Sequence, residues 1–228
     1  HHIAIDGVSL DIVLRDVGRC YKLNSDSSNG GLLPTSANTM YEFSSKQAQY
    51  LSSTEGERLW KFWQRELSGH PSTLNLQTDF KRPPIQDSSG GVFKVSFKAQ
   101  QVTLLREFAR RENVTPYTVL LTAFSCLLHN YSGQDDILIG SPMSGRTLDD
   151  SCNVDETVGN FANPAVLRST MFPGATFRQM VKLMFGKVMN ALEWQAYPFS
   201  LLVERMANFR DTSRSPLFQV LFSLNQSF

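Results

Sequence analysis

With 228 residues, 41% of them hydrophobic and 16 of them phenylalanine, the chain has ample material for one large or two small packed cores, which excludes a disordered linker. A formal charge of +1, with no apolar run near the roughly 18 residues of a membrane span, removes the reasons to expect nucleic acid or a membrane as partner. Cys20, Cys126 and Cys152 lie far apart and outside any C-x-x-C spacing, so neither a disulfide framework nor a metal site is expected, and a reducing cytoplasm fits best.

The chain opens on His1-His2-Ile3-Ala4-Ile5-Asp6-Gly7. Two terminal histidines can be the remnant of a purification tag. The neighbouring residues argue otherwise: Ile3-Ala4-Ile5 reads as the end of a short strand, Asp6-Gly7 as a turn and Ser9 as an N-cap, after which Leu10, Val13, Leu14, Val17 and Tyr21 recur at helical spacing. The histidines therefore sit at a strand-to-helix junction, where an imidazole titrating near neutrality can take a proton and return it. Asp6 reads as an architectural anion.

The stretch 24–38 is a surface loop by its Ser, Asn and Gly content. Helices are predicted around 41–51 and 55–67, the second carrying Leu59, Trp60, Phe62, Trp63 and Leu67 as a packing stripe. The stretch 68–91, with His70-Pro71, Arg82-Pro83-Pro84 and Gly90-Gly91, has no period and marks a boundary between lobes. Val92 to Phe97 alternates as a half-exposed strand, 101–111 reads as an amphipathic helix, and Thr115-Pro116 opens a buried helix running to about Tyr131. Asp136 to Gly140 reads as a buried strand ending in Ser141-Pro142, and Phe161 to Ser169 as another. Helices over 176–192 and 198–206 and a last apolar strand from about Pro216 to Gln226 complete the order. Strands alternating with helices around one sheet describe an α/β sandwich. A start in mid-strand without Met and a stop in an apolar run make the chain read as an internal fragment.

Five motifs stand in sequence along these elements. His1-His2-Ile3-Ala4-Ile5-Asp6-Gly7-Val8-Ser9 resembles an H-H-x-x-x-D-G signature, Ile139 to Arg146 a G-T/S-P-x-x-x-R motif, and Val158 to Arg168 a G-x-F-V-N-x-x-x-L-R motif. Trp194 to Phe199 with Leu202-Val203-Glu204, and Arg210 to Gln219, resemble two further motifs. The family with these motifs in this order is the condensation domains of nonribosomal peptide synthetases, built from two chloramphenicol-acetyltransferase-like lobes. Met40 to Gln47 departs from the family's Y-x-D-F-x-x-W-Q pattern.

The resemblance implies a two-lobed α/β sandwich truncated at both ends: residues 1–75 as the end of the first lobe, 76–91 as the crossover linker and 92–228 as most of the second lobe. It implies an acyltransferase that joins a donor acyl or peptidyl thioester to the amine of an acceptor aminoacyl thioester, in a synthetase that could be a polyketide hybrid. No cofactor is bound directly; phosphopantetheine arms arrive on upstream and downstream carrier domains, with an adenylation domain as neighbour. His2 takes the family's catalytic position, as base or as the group that orients the amine and stabilises the tetrahedral intermediate, and His1, Asp6, Gly7 and Arg146 are structural around it. Arg146 is the expected cation for Asp6, and Gly7 lets backbone approach the passing arm. Ser9, Ser141 and Asn163 are candidates for substrate or tunnel contact, with helix capping the favoured role for Ser9 and a loop contact the equal alternative for Asn163. A free-standing coenzyme A-dependent acyltransferase and a non-catalytic scaffold that docks carrier domains are the competing functions, and residues 1–228 alone are expected to be inactive.

Overall fold

The computed structural model describes residues 2–25, 39–70, 73–87, 89–146, 148, 154–206 and 211–225. Among them are seven helices and two strands: α1 Gly7–Ser25, α2 Met40–Leu51, α3 Thr54–Glu66, α4 Ala99–Glu112, α5 Pro116–Ser132, β1 Asp136–Met143, β2 Asn163–Thr170, α6 Phe177–Glu193 and α7 Phe199–Met206. Short polar side chains start several of them. The Thr39, Thr115 and Thr176 hydroxyls accept from the backbone N–H groups of Glu42, Thr118 and Gln179, and Glu42 and Gln179 reach back to close capping boxes. Left-handed residues at Asn113 and Gly133 end α4 and α5.

The chain divides into two compact units, one of His1–Lys61, Met143–Asn163 and Gln195–Pro198, the other of Phe62–Pro142, Pro164–Trp194 and Phe199–Phe228. In the first, Phe43, Leu148, Val154 and Phe161 form a buried cluster, with Phe43 and Phe161 edge to face at 4.9 Å. In the second, β1 pairs with β2, and a parallel bridge joins Gly140 to Leu221. Ile137, Leu138 and Ile139 are all buried, so β1 is covered on both faces and shows no alternation. Ala109, Val119 and Val181 form a buried cluster in this unit between α4, α5 and α6. Phe62 stacks on Trp194 at 4.9 Å and Trp63 donates its indole N–H to the Trp194 carbonyl at 3.0 Å, so these aromatics serve packing.

Four expectations need correction. Residues 2–4 form a turn, not a strand end. Residues 92–97 belong to no strand, and Phe93 is 91% exposed. The apolar stretch after Pro216 forms one bridge, at Leu221, in place of a strand. Alternation describes a face, whereas a strand also needs a neighbour to take its backbone hydrogen bonds, and these segments have little or none among the described residues. Finally, α1 is a helix as predicted, but Leu10, Leu14, Val17 and Tyr21 are exposed and its buried side carries Asp6, Ser9 and Ile12. Polar pairing, not the apolar row, decides which way this helix turns.

Candidate functional site

Asp6 precedes the first residue of α1 and takes the capping role assigned to Ser9. Its Oδ1 accepts the Ser9 backbone N–H at 2.8 Å, while Oδ2 accepts the Phe161 N–H at 3.1 Å. Ser9 lies within the first turn of the helix, too far along to cap it. A carboxylate this buried, 7% exposed, requires a cation, and Arg146, equally buried, supplies one: Nη2 donates to Asp6 Oδ1 at 2.9 Å. The pairing expected from the sequence is therefore present.

Arg146 does more than neutralise Asp6. Its Nη1 donates to the carbonyls of Val154 at 2.6 Å and Thr157 at 2.9 Å, its Nη2 also donates to Ser9 Oγ at 2.8 Å, and its guanidinium lies 4.3 Å from the Phe161 ring centre. Gly145 delivers it from a left-handed conformation, φ 61°, where a Cβ would run into the Phe161 carbonyl oxygen. Burial alone would raise the Asp6 pKa. The hydrogen bonds from Ser9, Arg146 and the Phe161 backbone outweigh it and hold the carboxyl below its ordinary range. The site is thus a fixed anion and cation that fasten the start of α1 to the segment 154–161.

His2 stands on the turn directly before this anchor and is exposed. Its Nδ1 lies 3.2 Å from the Ile5 carbonyl oxygen. A carbonyl can only accept, so Nδ1 carries the proton, and in the neutral ring Nε2 is left with a lone pair facing outward from the bond. An imidazole held this way can accept a proton at Nε2 without losing its orientation. His1 lies outside the described residues, as do Cys152 and Arg210.

The remaining candidates fall in different places. A Cβ on Gly7 would meet no atom within 4 Å, so nothing among the described residues crowds its backbone. Ser9 is 0% exposed, with its hydroxyl engaged by Gly159 and Arg146, so it faces protein on every side. Ser141, in the second unit, is buried with its hydroxyl 2.6 Å from that of Tyr117, whose pKa burial pushes up. Asn163 donates its side-chain amide to the carbonyls of Gln195 at 2.8 Å and Tyr197 at 2.9 Å, which holds the 195–198 segment. Among the described residues no cluster of His, Cys, Asp or Glu could hold a metal ion.

Sequence reasoning passed over Gly159 and Phe161 as site residues. Both stand in the G-x-F-V-N stretch, but they engage Asp6 through backbone groups, the Gly159 carbonyl accepting from Asp6 N–H at 3.1 Å, and a backbone partner leaves no residue-type signal. The ion pair of Arg15 with Glu156, a second tie from α1 to the same segment, also went unread; two opposite charges 141 positions apart announce nothing.

The family model of the condensation domain matches residues 1–228. Gramicidin S synthase 2 of Brevibacillus brevis is 34% identical over 225 residues, and surfactin synthase subunit 1 of Bacillus subtilis is 33% identical over 228. These alignments take in 99% and 100% of the chain but 5% and 6% of the relatives, so the chain spans a small part of the curated relatives it matches. Among solved structures, a four-domain nonribosomal peptide synthetase bound to AMP and glycine superposes with a TM-score of 0.82 at 26% identity, covering 99% of this chain and 16% of that one. The X-domain from teicoplanin biosynthesis shares the fold at a TM-score of 0.85 and 23% identity, with 97% of this chain against 49% of that one.

Proposed function

We propose that this chain, which belongs to the condensation-domain family along its whole length, forms amide bonds between thioester-bound groups, with His2 as the group that handles the proton. The observation that carries the reading is the His2 turn itself: an exposed imidazole with Nδ1 committed to the Ile5 carbonyl, mounted directly before a buried carboxylate–guanidinium anchor. In the reaction the acceptor's amine nitrogen bonds to the donor's carbonyl carbon, and the carbon–sulfur bond breaks. The nitrogen loses one proton and the departing thiolate gains one. The attacking species is the neutral amine, which has a lone pair, and a base at Nε2 that takes its one surplus proton as the carbon–nitrogen bond forms and returns it to sulfur serves both ends of the step. The Asp6–Arg146 anchor stays out of the proton chemistry and keeps the imidazole where the amine arrives.

The two thioesters are substrates brought on phosphopantetheine arms by upstream and downstream carrier domains, with an adenylation domain beside them in the same synthetase. A cytoplasmic setting goes with that assignment, and no described helix is long and apolar enough to cross a membrane. We assign residues 1–75 to the end of a first lobe, 76–91 to a crossover and 92–228 to a second lobe. The 228 residues alone are expected to form no amide, because a proton-transfer group without a positioned substrate loses the advantage of proximity.

The test is His2→Ala in the full-length synthetase with both carrier domains loaded. Amide formation is expected to fall about 10²–10⁴-fold with the melting temperature unchanged. A variant that condenses at the wild-type rate removes His2 from the mechanism.

A further inference from the structure

Ser9 is fully buried, and its hydroxyl uses its whole hydrogen-bonding capacity. It donates to the Gly159 carbonyl at 2.7 Å, accepts the Gly159 N–H at 2.9 Å and accepts Arg146 Nη2 at 2.8 Å. The Gly159 carbonyl also receives the Asp6 N–H at 3.1 Å. Both polar groups of Gly159 are therefore tied to Ser9 in the first turn of α1, and its carbonyl also holds the Asp6 N–H, whose own peptide unit carries the Ile5 carbonyl against His2 Nδ1. The space beside Gly159 is occupied: a Cβ there would come within 2.8 Å of Met40 Sδ and 3.0 Å of the Phe161 ring.

We propose that Ser9 is a positioning residue for the His2 turn, acting through Gly159 as a second lock beside the Asp6–Arg146 ion pair. The inference rests on the assignment of His2 as the proton-handling group. The two locks share Arg146 Nη2, which donates to both Asp6 and Ser9, yet substitution separates them. Removing the Ser9 hydroxyl leaves the backbone bond from Ser9 N–H to Asp6, which caps the helix, and leaves Arg146 on Asp6, Val154 and Thr157. What disappears is the Ser9 hold on the Gly159 N–H and C=O and on Arg146 Nη2, while the bond from Asp6 N–H to the Gly159 carbonyl stays. The Gly159 N–H then has to find another partner in a buried place, and the turn holding His2 gains freedom against the segment 154–161. Displacements of about an ångström at a reacting group cost on the order of 10²-fold in rate.

The experiment compares wild type, Ser9→Ala, Ser9→Thr and His2→Ala in the full-length synthetase, measuring amide formation with loaded carrier domains and backbone hydrogen exchange. Ser9→Ala is expected to lower kcat about 10–100-fold while KM for the acceptor-loaded carrier stays within about twofold. Exchange is expected to accelerate at Gly159 and over residues 2–9, with the rest of the chain protected as before. Ser9→Thr keeps the hydroxyl and is expected to retain wild-type kcat and protection. The proposal is overturned by a wild-type kcat in Ser9→Ala, by a threonine variant as slow as the alanine one, or by loss of protection throughout the chain, which would make Ser9 a residue of the fold. If His2→Ala is fully active, the reading of His2 fails, and the exchange result still reports whether Ser9 holds the turn.

Discussion

Removing one member of the Asp6–Arg146 pair leaves the other charged and buried, which is the costliest thing a single substitution can do in this site. Asp6→Ala and Arg146→Ala are each expected to destabilise by about 3–5 kcal/mol, and the double variant by much less than the sum. Chemical denaturation of the four members of the cycle checks this, and additive losses would mean that the two residues hold different partners. The same pair sets a pH dependence. Because the folded-state pKa of Asp6 lies below the ordinary 3.8, the unfolded chain takes up the proton first as pH falls. The stability Asp6 contributes is therefore complete above that ordinary value and disappears as pH drops through the folded-state pKa. Melting temperatures from about pH 5 down to about pH 3 should fall less steeply in Asp6→Asn than in the wild type, from a lower starting point. The identity of the pair was legible from residue types and motif spacing. The Gly159 and Phe161 backbone groups that complete it were not, because any residue offers the same N–H and C=O.

At the level of elements, helices began and ended where local chemistry placed them. Thr115-Pro116 and Thr176 act within three residues of themselves, so their caps can be read without knowing the fold. Thr176→Ala is expected to cost about 1 kcal/mol, read by thermal or denaturant unfolding. Strands depended on distant partners. Arg168 of β2 grips Asp136 of β1 with Nε at 2.9 Å and Nη2 at 2.6 Å, and its Nη1 donates to the carbonyls of Glu66 at 3.1 Å and Ser68 at 2.7 Å at the end of α3. One side chain thus joins two strands to a helix terminus whose carbonyls have no partner in the helix. Arg168→Lys keeps the charge and loses the planar fork, and it is expected to destabilise by about 1–3 kcal/mol. A lysine variant with unchanged stability would show that charge alone suffices there.

For the molecule as a whole, the apolar groups left on the surface are the informative ones. Leu10, Leu14 and Val17 on α1 and Val92, Phe93, Val95 and Phe97 on the extended segment are exposed, and the chain covers about half of the X-domain structure that shares its fold. Residues 1–228 on their own are expected to bind a hydrophobic dye and to self-associate, as rows of exposed apolar side chains and unpaired backbone do. Light scattering and dye fluorescence decide it, a clean monomer without dye binding being the contrary result. The two compact units also cut across chain order, since 143–163 and 195–198 pack with the N-terminal residues. Composition does not announce that grouping, because it marks where the chain lacks regular structure and not which distant segments share a core.

The sequence by itself determined the family, the helix order with its caps, and the charge partners Asp6 and Arg146, because each is carried by side-chain identity within a short window or by a motif. Tertiary structure alone decided the rest. It turned α1 so that Ser9 and Asp6 face inward and the apolar row faces out, moved the cap from Ser9 to Asp6, left 92–97 without a strand partner among the described residues, and made Gly159 the meeting point of Asp6 and Ser9. The physical reason is common to all four. Backbone donors and acceptors, and the direction a helix faces, take their energy from groups far away in the chain, and periodicity cannot encode which of those groups will be near.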